Sequence, residues 1–128
     1  MAITTLGLST RLHLPEFKDV AYKIWLEDKD DIVKNAALRS WVSYYSNTKN
    51  AEILKKLYRI LMDENYAIDH RRVAMQEIFY VAGERPKFYD PFQDRHLYML
   101  NSHEEFNQKI DWDEIKAIMK KHAPDAIS

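Results

Sequence analysis

Residues 33–38, VKNAAL, and residues 70–75, HRRVAM, form a spaced echo that indicates how this 128-residue chain is built. The second stretch follows the first by 37 residues, and in each a basic residue precedes an alanine by three positions. A large apolar residue follows each alanine, and a further apolar residue, Trp41 or Ile78, comes three positions later. A fixed period of roughly 20–50 residues is typical of stacked helical hairpins. The echo therefore predicts a chain of paired helices.

The composition also favours an all-α protein. Only two glycines occur, whereas sandwiches and barrels need many tight turns, which prefer glycine. The chain has no cysteine, which excludes disulfide scaffolds, thiolate metal sites and cysteine nucleophiles. Its net charge of −1 is too balanced for a dedicated nucleic-acid binder. Residues 34–72 nevertheless contain eight basic and four acidic residues, a net charge of +4, which suits an acidic partner.

Apolar residues at helical spacing predict a series of helices after an irregular lead-in over residues 1–14. The first helix spans about residues 15–28 and has Pro15 at its first position. Residues 84–101 are predicted to form a loop or a short helix, with residues 91–100 either helical or extended. Residues 102–123 are predicted to form the C-terminal helices. The predicted caps are Asp30 or Asp31, Asn50, Asp69, Ser102 and Asp111 at N-termini and Gly83 at a C-terminus.

The paired helices and the echo resemble HEAT-type and related armadillo-like repeats over roughly residues 15–83. In that family the first helix of a unit often reads Asp, then Val-Arg, then Ala three residues after the Arg, then an apolar residue. The first copy here matches at Asp30 or Asp31, Val33, Lys34, Ala37 and Leu38. The second matches at Asp69, Arg71, Ala74 and Met75, with His70 where the family prefers Val. The resemblance implies one helical domain, residues 1–128, built as a short right-handed α-solenoid-like stack of antiparallel helix pairs with capped ends.

Five basic residues are candidates for partner binding: Lys55, Lys56, Arg59, Arg71 and Arg72. The first three share the polar face of the third helix, and the resemblance implies that such helices line the concave, partner-binding surface. A merely solvated face is the alternative. Arg71 and Arg72 fall in the first turn of the fourth helix, where positive charge opposes the helix dipole. They would contact an anion or an acidic partner, or pair with an acidic residue on the neighbouring repeat as the resemblance implies.

The sequence offers little chemistry for catalysis or metal binding. One cluster combines potential metal ligands: Asp90, Asp94, His96, His103, Glu104 and Glu105. Its spacing fits no known ligand motif, and helix capping already accounts for Glu105. The chain also lacks a glycine-rich phosphate loop and a recognisable nucleophile motif. We therefore predict no enzyme activity, no cofactor and no resident metal.

Aromatic residues are concentrated between positions 79 and 98, where they alternate with Arg85, Lys87 and Arg95. Three interpretations stay open for this region. The rings would pin a loop to the core, anchor a protein interface, or stack on nucleic-acid bases.

The leading hypothesis is a small, soluble helical-repeat interaction protein, or scaffold, that presents a rigid surface to a protein partner. A nucleic-acid-binding protein that uses the basic middle segment is one alternative. A small inhibitor or immunity-type protein that blocks one enzyme is another. The chain shows no signal peptide and no apolar run of about 18 residues, so we expect a cytoplasmic protein without a membrane segment. Homodimerisation stays open, because a short stack exposes apolar end surfaces.

Overall fold

The computed structural model describes residues 15–85 and 102–127, with side chains from residue 17 onwards, and every regular element in these ranges is helical. The all-α prediction is therefore confirmed for this part of the chain. The helices are α1 (Pro15–Glu27), α2 (Asp31–Ser43), α3 (Ala51–Met62), α4 (Ile68–Ala82), α5 (His103–Lys109) and α6 (Trp112–His122), followed by a 3-10 helix at Pro124–Ala126. The predicted lead-in over residues 1–14 and most of the predicted loop or short helix over residues 84–101 lie outside the described residues. Among the helices described, none has the length and apolar character needed to span a membrane.

The chain divides into two compact units, residues 1–46 and residues 47–128. In the first unit α1 packs against α2, and aromatic contacts join the two helices. The ring of Tyr22 lies with its centroid 4.4 Å from that of Trp41, and the Lys34 ammonium lies 5.0 Å from the ring centroid of Trp25. A cation over an aromatic face is favourable. Aromatic and cation–π contacts thus hold this helical pair together.

The buried face of α1 is narrower than its apolar pattern predicts. In the sequence, Val20 shares the helical spacing of Ala21 and Trp25 and is predicted to be buried with them. Ala21 and Trp25 are almost fully buried, whereas Val20 is 41% exposed. Successive helical residues are rotated by about 100°. Val20 therefore lies about 120° from the centre of the face formed by Ala21 and Trp25, which accounts for its exposure.

In the second unit α3, α4 and α6 surround one apolar core. Apolar residues at helical spacing predict a buried face on each of these helices, and every predicted residue is buried except Trp112 of α6, which is half-buried. The buried residues are Leu54, Leu57, Tyr58 and Leu61 on α3, Val73, Ala74, Ile78 and Val81 on α4, and Ile115, Ile118 and Met119 on α6. Ala37 and Ala74, which occupy equivalent positions in the spaced echo, are each completely buried within their own unit.

Side-chain caps begin four of the helices at the predicted residues. The Asp30 carboxylate accepts hydrogen bonds from two backbone N–H groups of the first turn of α2, at 2.9 and 3.2 Å. Asn50 caps α3 in the same way at 3.0 and 3.2 Å. Ser102 and Asp111 each accept one backbone N–H bond at 3.1 Å, at the starts of α5 and α6. These bonds satisfy donors that have no partner within the helix.

The predicted cap Asp69 is wrong. Helix α4 begins at Ile68, its N-cap is Ala67, and no side chain makes a capping hydrogen bond there. The Ala67 carbonyl accepts from the N–H groups of His70 and Arg71 at 3.0 and 3.1 Å, so the helix starts two residues before Asp69 would allow. Asp69 instead lies in the first turn, where its negative charge is favourable to the helix dipole.

Gly83 ends α4 in the left-handed conformation that the sequence predicts for a helix C-cap, with φ of 69°. The loop that precedes α3 is bonded to this helix end. Asn47 donates its backbone N–H to the Tyr80 carbonyl at 3.1 Å, and Lys49 donates to the Val81 carbonyl at 3.0 Å. A Cβ atom at position 83 would collide with the Asn47 side-chain oxygen. Both the dihedral angle and the loop contact therefore require glycine.

Replacing Gly83 with alanine is expected to lower the free energy of unfolding by about 2 kcal/mol. The left-handed conformation costs an L-residue roughly 1–2 kcal/mol, and displacement of Asn47 adds to that cost. Urea unfolding followed by far-UV circular dichroism measures the effect. In the double variant Gly83→Ala/Asn47→Gly the collision is absent, so about half of the loss should return. A loss below about 0.5 kcal/mol for Gly83→Ala would contradict this account.

Candidate functional site

The three basic residues of α3 that were predicted to bind a partner, Lys55, Lys56 and Arg59, lie in two different environments. Lys56 and Arg59 are exposed, whereas the Lys55 side chain is only 21% exposed. The Lys55 ammonium lies 3.5 Å from a Glu52 carboxylate oxygen and 3.7 Å from an Asp125 carboxylate oxygen. Lys55 is thus directed towards the 3-10 helix at the end of the chain. Only Lys56 and Arg59 are presented outwards.

One further residue extends the exposed face of α3. Met62 follows Arg59 by three positions, which places the two side chains on neighbouring parts of the helix surface, and Met62 is 49% exposed. We refer to Lys56, Arg59 and Met62 as the α3 surface. The opposite face of the helix is buried in the core. Two cations beside an exposed, flexible apolar side chain form a surface suited to an acidic segment with apolar residues.

Arg71 and Arg72 lie elsewhere, in the interior of the second unit. They are only 1% and 2% exposed, so neither guanidinium is available to a partner in this conformation. Of the two alternatives left open by the sequence, the structure therefore favours an internal role. Arg72 donates to the Gln76 side-chain oxygen at 3.4 Å, one turn along α4.

Arg71 joins α4 to two other helices through its side-chain donors. Its Nε donates to the Leu61 carbonyl at 2.7 Å, in the last turn of α3. Its Nη2 donates to the Asn107 side-chain oxygen at 2.7 Å, and its Nη1 lies 2.9 Å from His103 Nδ1, both on α5. The guanidinium carbon lies 4.7 Å from the Phe106 ring centroid. We refer to Arg71 with these four contact residues as the Arg71 cluster.

The electrostatic setting of Arg71 explains how a cation is tolerated in the interior. Burial lowers the pKa of its guanidinium, and the carboxylates of Glu64 and Asp63 act in the opposite direction. An arginine keeps its proton even when its pKa is lowered, because the unperturbed value is so high. The buried charge is thus compensated by three acceptors and by two nearby carboxylates. Among the described residues, the pairing with an acidic residue that the resemblance implies is present as a longer-range attraction to Glu64 and Asp63.

Sequence reasoning missed His103 and Asn107 as the partners of Arg71. They lie 32 and 36 positions further along the chain, and no local spacing rule connects residues at such separations. The sequence pattern indicated His103 only as a potential metal ligand. One weak signal in the sequence pointed to distant partners for Arg71. Arg71 and Arg72 lie in the first turn of α4, where their positive charge is unfavourable to the helix dipole, and such a charge needs compensation from elsewhere in the fold.

The structure describes three residues of the potential metal cluster, His103, Glu104 and Glu105. Within residues 15–85 and 102–127, no group of three or more histidine, aspartate or glutamate side chains could hold a metal ion. Asp90, Asp94 and His96 lie outside the described residues. In the aromatic region, Phe79 is buried and Tyr80 is 41% exposed, and the rings beyond residue 85 are likewise outside the described part of the chain.

Comparisons of this protein with protein-family models, with curated proteins and with solved structures found no match. The resemblance to HEAT-like repeats therefore stays a prediction from the sequence.

Proposed function

We propose that this protein is an interaction protein whose α3 surface binds an acidic, partly apolar segment of a protein partner. The observation that carries the proposal is the placement of Lys56, Arg59 and Met62 on the outer face of a helix whose other face is buried. Because the core already orders the backbone of this helix, binding has to fix only its side chains, which favours binding. The short HEAT-like stack, the scaffold role and the cytoplasmic location predicted from the sequence remain part of this proposal.

A protein partner fits better than a nucleic acid. Phosphate binding requires several exposed cations, because affinity rises with the number of phosphates neutralised. Of the five candidate cations, Arg71 and Arg72 are buried and the Lys55 side chain is only 21% exposed, which leaves Lys56 and Arg59 as the exposed ones. The remaining two cations suit an acidic protein segment. The inhibitor or immunity-type hypothesis is a special case, in which the partner is one enzyme.

Charge reversal of the α3 surface tests this proposal. In an affinity pull-down from the source cells, Lys56→Glu/Arg59→Glu is expected to reduce recovery of the main partner protein by at least about tenfold, because attraction becomes repulsion. The control variant Lys23→Glu/Lys116→Glu makes the same change in net charge at two exposed lysines on other helices. With this control variant, recovery of the partner protein should stay within about twofold of that with the native chain, because charges far from an interface contribute little to affinity.

The outcomes of this experiment separate the hypotheses. Equal recovery by both double variants would contradict the choice of the α3 surface. Recovery of nucleic acid alone, lost as the salt concentration rises, would replace the proposal with nucleic-acid binding. Circular dichroism of both variants should match the native chain, because exposed substitutions usually change stability by less than about 0.5 kcal/mol.

A further inference from the structure

The turn between α1 and α2 exposes two large apolar side chains. Leu26, at the end of α1, is 57% exposed, and Ile32, in the first turn of α2, is 80% exposed. Ile32 is the most exposed large apolar side chain in the part of the chain that the structure describes. A single exposed apolar residue needs no explanation. Two that flank one turn provide a place where another molecule can bury apolar surface.

Most of the charged residues around these two side chains are acidic. Residues 26–32, LEDKDDI, contain four acidic residues and one basic residue, a net charge of −3. We refer to this segment as the acidic tip. Helix capping and the helix dipole account for Asp30 and Asp31 at the start of α2. They do not account for Glu27, which ends α1, where a negative charge is unfavourable to the dipole.

Hydrogen bonds within the turn order the backbone of the acidic tip. The Asp28 N–H donates to the Ile24 carbonyl at 2.9 Å, and the Asp28 carboxylate accepts from the Asp30 N–H at 2.8 Å. The Asp30 carboxylate in turn accepts from the N–H groups of Ile32 and Val33 at 2.9 and 3.2 Å. Because this backbone is already ordered, binding at the acidic tip has to fix only side chains.

The α3 surface has properties complementary to those of the acidic tip. Lys56, Arg59 and Met62 follow one another at intervals of three residues, along about 9 Å of α3. On α3 two cations lie beside an exposed apolar side chain, whereas at the acidic tip carboxylates lie beside two such side chains. The two carboxylates that follow the α3 surface in sequence attract the buried Arg71. Opposite charges bring two such surfaces together, and contact between their apolar side chains adds affinity.

We propose that the α3 surface of one copy binds the acidic tip of a second copy of this protein. The inference rests on the function proposed for the α3 surface and identifies the segment that this surface binds. That function requires an acidic, partly apolar segment, and the chain itself contains one that is exposed and ordered. Each copy has both surfaces, so two copies can exchange two equal contacts, or successive copies can form a chain. An interface of so few residues is small, so we expect weak, reversible association.

Sedimentation velocity of the purified full chain measures this association. At low ionic strength, over concentrations of about 5–500 μM, the weight-average sedimentation coefficient should rise with protein concentration. Addition of about 0.5 M salt should raise the apparent dissociation constant at least about threefold, because exposed charges are then screened. A native chain that sediments as a monomer at every concentration would overturn the inference, and this measurement does not depend on the folding of any variant.

Failure of this inference is distinguishable from failure of the proposed function. A monomeric chain that recovers its partner protein only with an intact α3 surface would overturn the inference and support the proposed function. Equal recovery by the two double variants in the pull-down would contradict the proposed function itself.

An exchange of charge between the two surfaces tests whether they contact each other. The tip reversal, Glu27→Lys/Asp31→Lys, changes two exposed residues and keeps the two carboxylates that bond the turn. The tip reversal and the α3 reversal, Lys56→Glu/Arg59→Glu, should each raise the apparent dissociation constant at least about tenfold. A chain with all four substitutions again has opposite charges on the two surfaces, and it keeps the native net charge of −1. Its dissociation constant should return to within about threefold of the native value.

A matched variant separates this contact from an effect of overall charge. The α3 reversal combined with Asp19→Lys/Asp113→Lys also has a net charge of −1, but its new lysines lie at exposed positions of α1 and α6 outside the acidic tip. Its two surfaces are both acidic, so it should associate as weakly as the α3 reversal alone. Native-like association of this variant would overturn the proposal. So would failure of the four exchanged charges to restore association in a chain whose circular dichroism matches that of the native protein.

Discussion

Replacing Arg71 with methionine is expected to lower the free energy of unfolding by about 3 kcal/mol. The substitution keeps most of the apolar stem but removes three hydrogen bonds, to the Leu61 carbonyl, the Asn107 side chain and His103. A hydrogen bond from a charged donor contributes roughly 1.5–3 kcal/mol, and a buried acceptor left without a partner adds to the loss. Removal of a buried charge offsets part of this cost, because the guanidinium no longer has to be desolvated. Urea unfolding at neutral pH, followed by circular dichroism, gives the value.

Two further variants identify the origin of that loss. Arg59→Met makes the same chemical change at an exposed position of α3, so its effect should stay within about 0.5 kcal/mol. Arg71→Lys keeps the charge but not the planar fork that reaches three acceptors, and it should lose at least about half as much stability as Arg71→Met. Equal effects of Arg71→Met and Arg59→Met would show that the Arg71 cluster contributes nothing measurable to stability.

Replacing Phe106 with alanine is expected to have the largest effect, a loss of about 3–5 kcal/mol. Phe106 has no exposed surface, and it is the one buried residue of α5. Its removal leaves a cavity beside Arg71 and eliminates the aromatic face that lies 4.7 Å from the guanidinium carbon. Hydrogen exchange should show lost protection across residues 102–110, because the remaining contacts of this short helix cannot hold it in place.

Phe106→Leu serves as the matched control, since leucine retains most of the apolar volume but has no ring. Its loss should be about 1–2 kcal/mol, made up of imperfect packing and the missing cation–π contact. Full loss of α5 protection in Phe106→Leu would mean that the ring contact, rather than buried apolar volume, dominates docking. Stability of Phe106→Ala within about 1 kcal/mol of the native chain would contradict the placement of this side chain in the core.

The Arg71 cluster and the α3 surface show two opposite uses of basic residues in one segment of the chain. Arg71 and Arg72 follow the polar residues Asp69 and His70 in sequence, yet both are buried. Lys56 and Arg59 lie on a strongly amphipathic helix and remain exposed. Charge alone therefore does not distinguish a contact surface from an internal bridge. What distinguishes Arg71 from Lys56 and Arg59 is that neighbouring helices bury it and supply acceptors to its guanidinium.

Local patterns in the sequence determined the helices, most of their caps and the buried faces of α3, α4 and α6. Apolar spacing and capping act over three or four residues, so they can be recognised without knowledge of the rest of the chain. The exception, Asp69, shows the limit of a local signal: the residue favours a helix start, but backbone hydrogen bonds to Ala67 start the helix earlier. The exposure of Val20 shows the same limit for an apolar stripe, whose width depends on the neighbouring helix.

Only the tertiary structure decided the roles of the polar residues. It turned Lys55 towards Asp125, buried Arg71 and Arg72, and brought His103 and Asn107 to Arg71 across more than 30 positions of sequence. A long polar side chain reaches several ångströms from its helix, so its environment depends on which distant acceptors the packing of whole helices brings within range. Apolar burial follows from periodicity, which is local. Polar compensation follows from the arrangement of α3, α4 and α5, which the sequence encodes only through all of their contacts together.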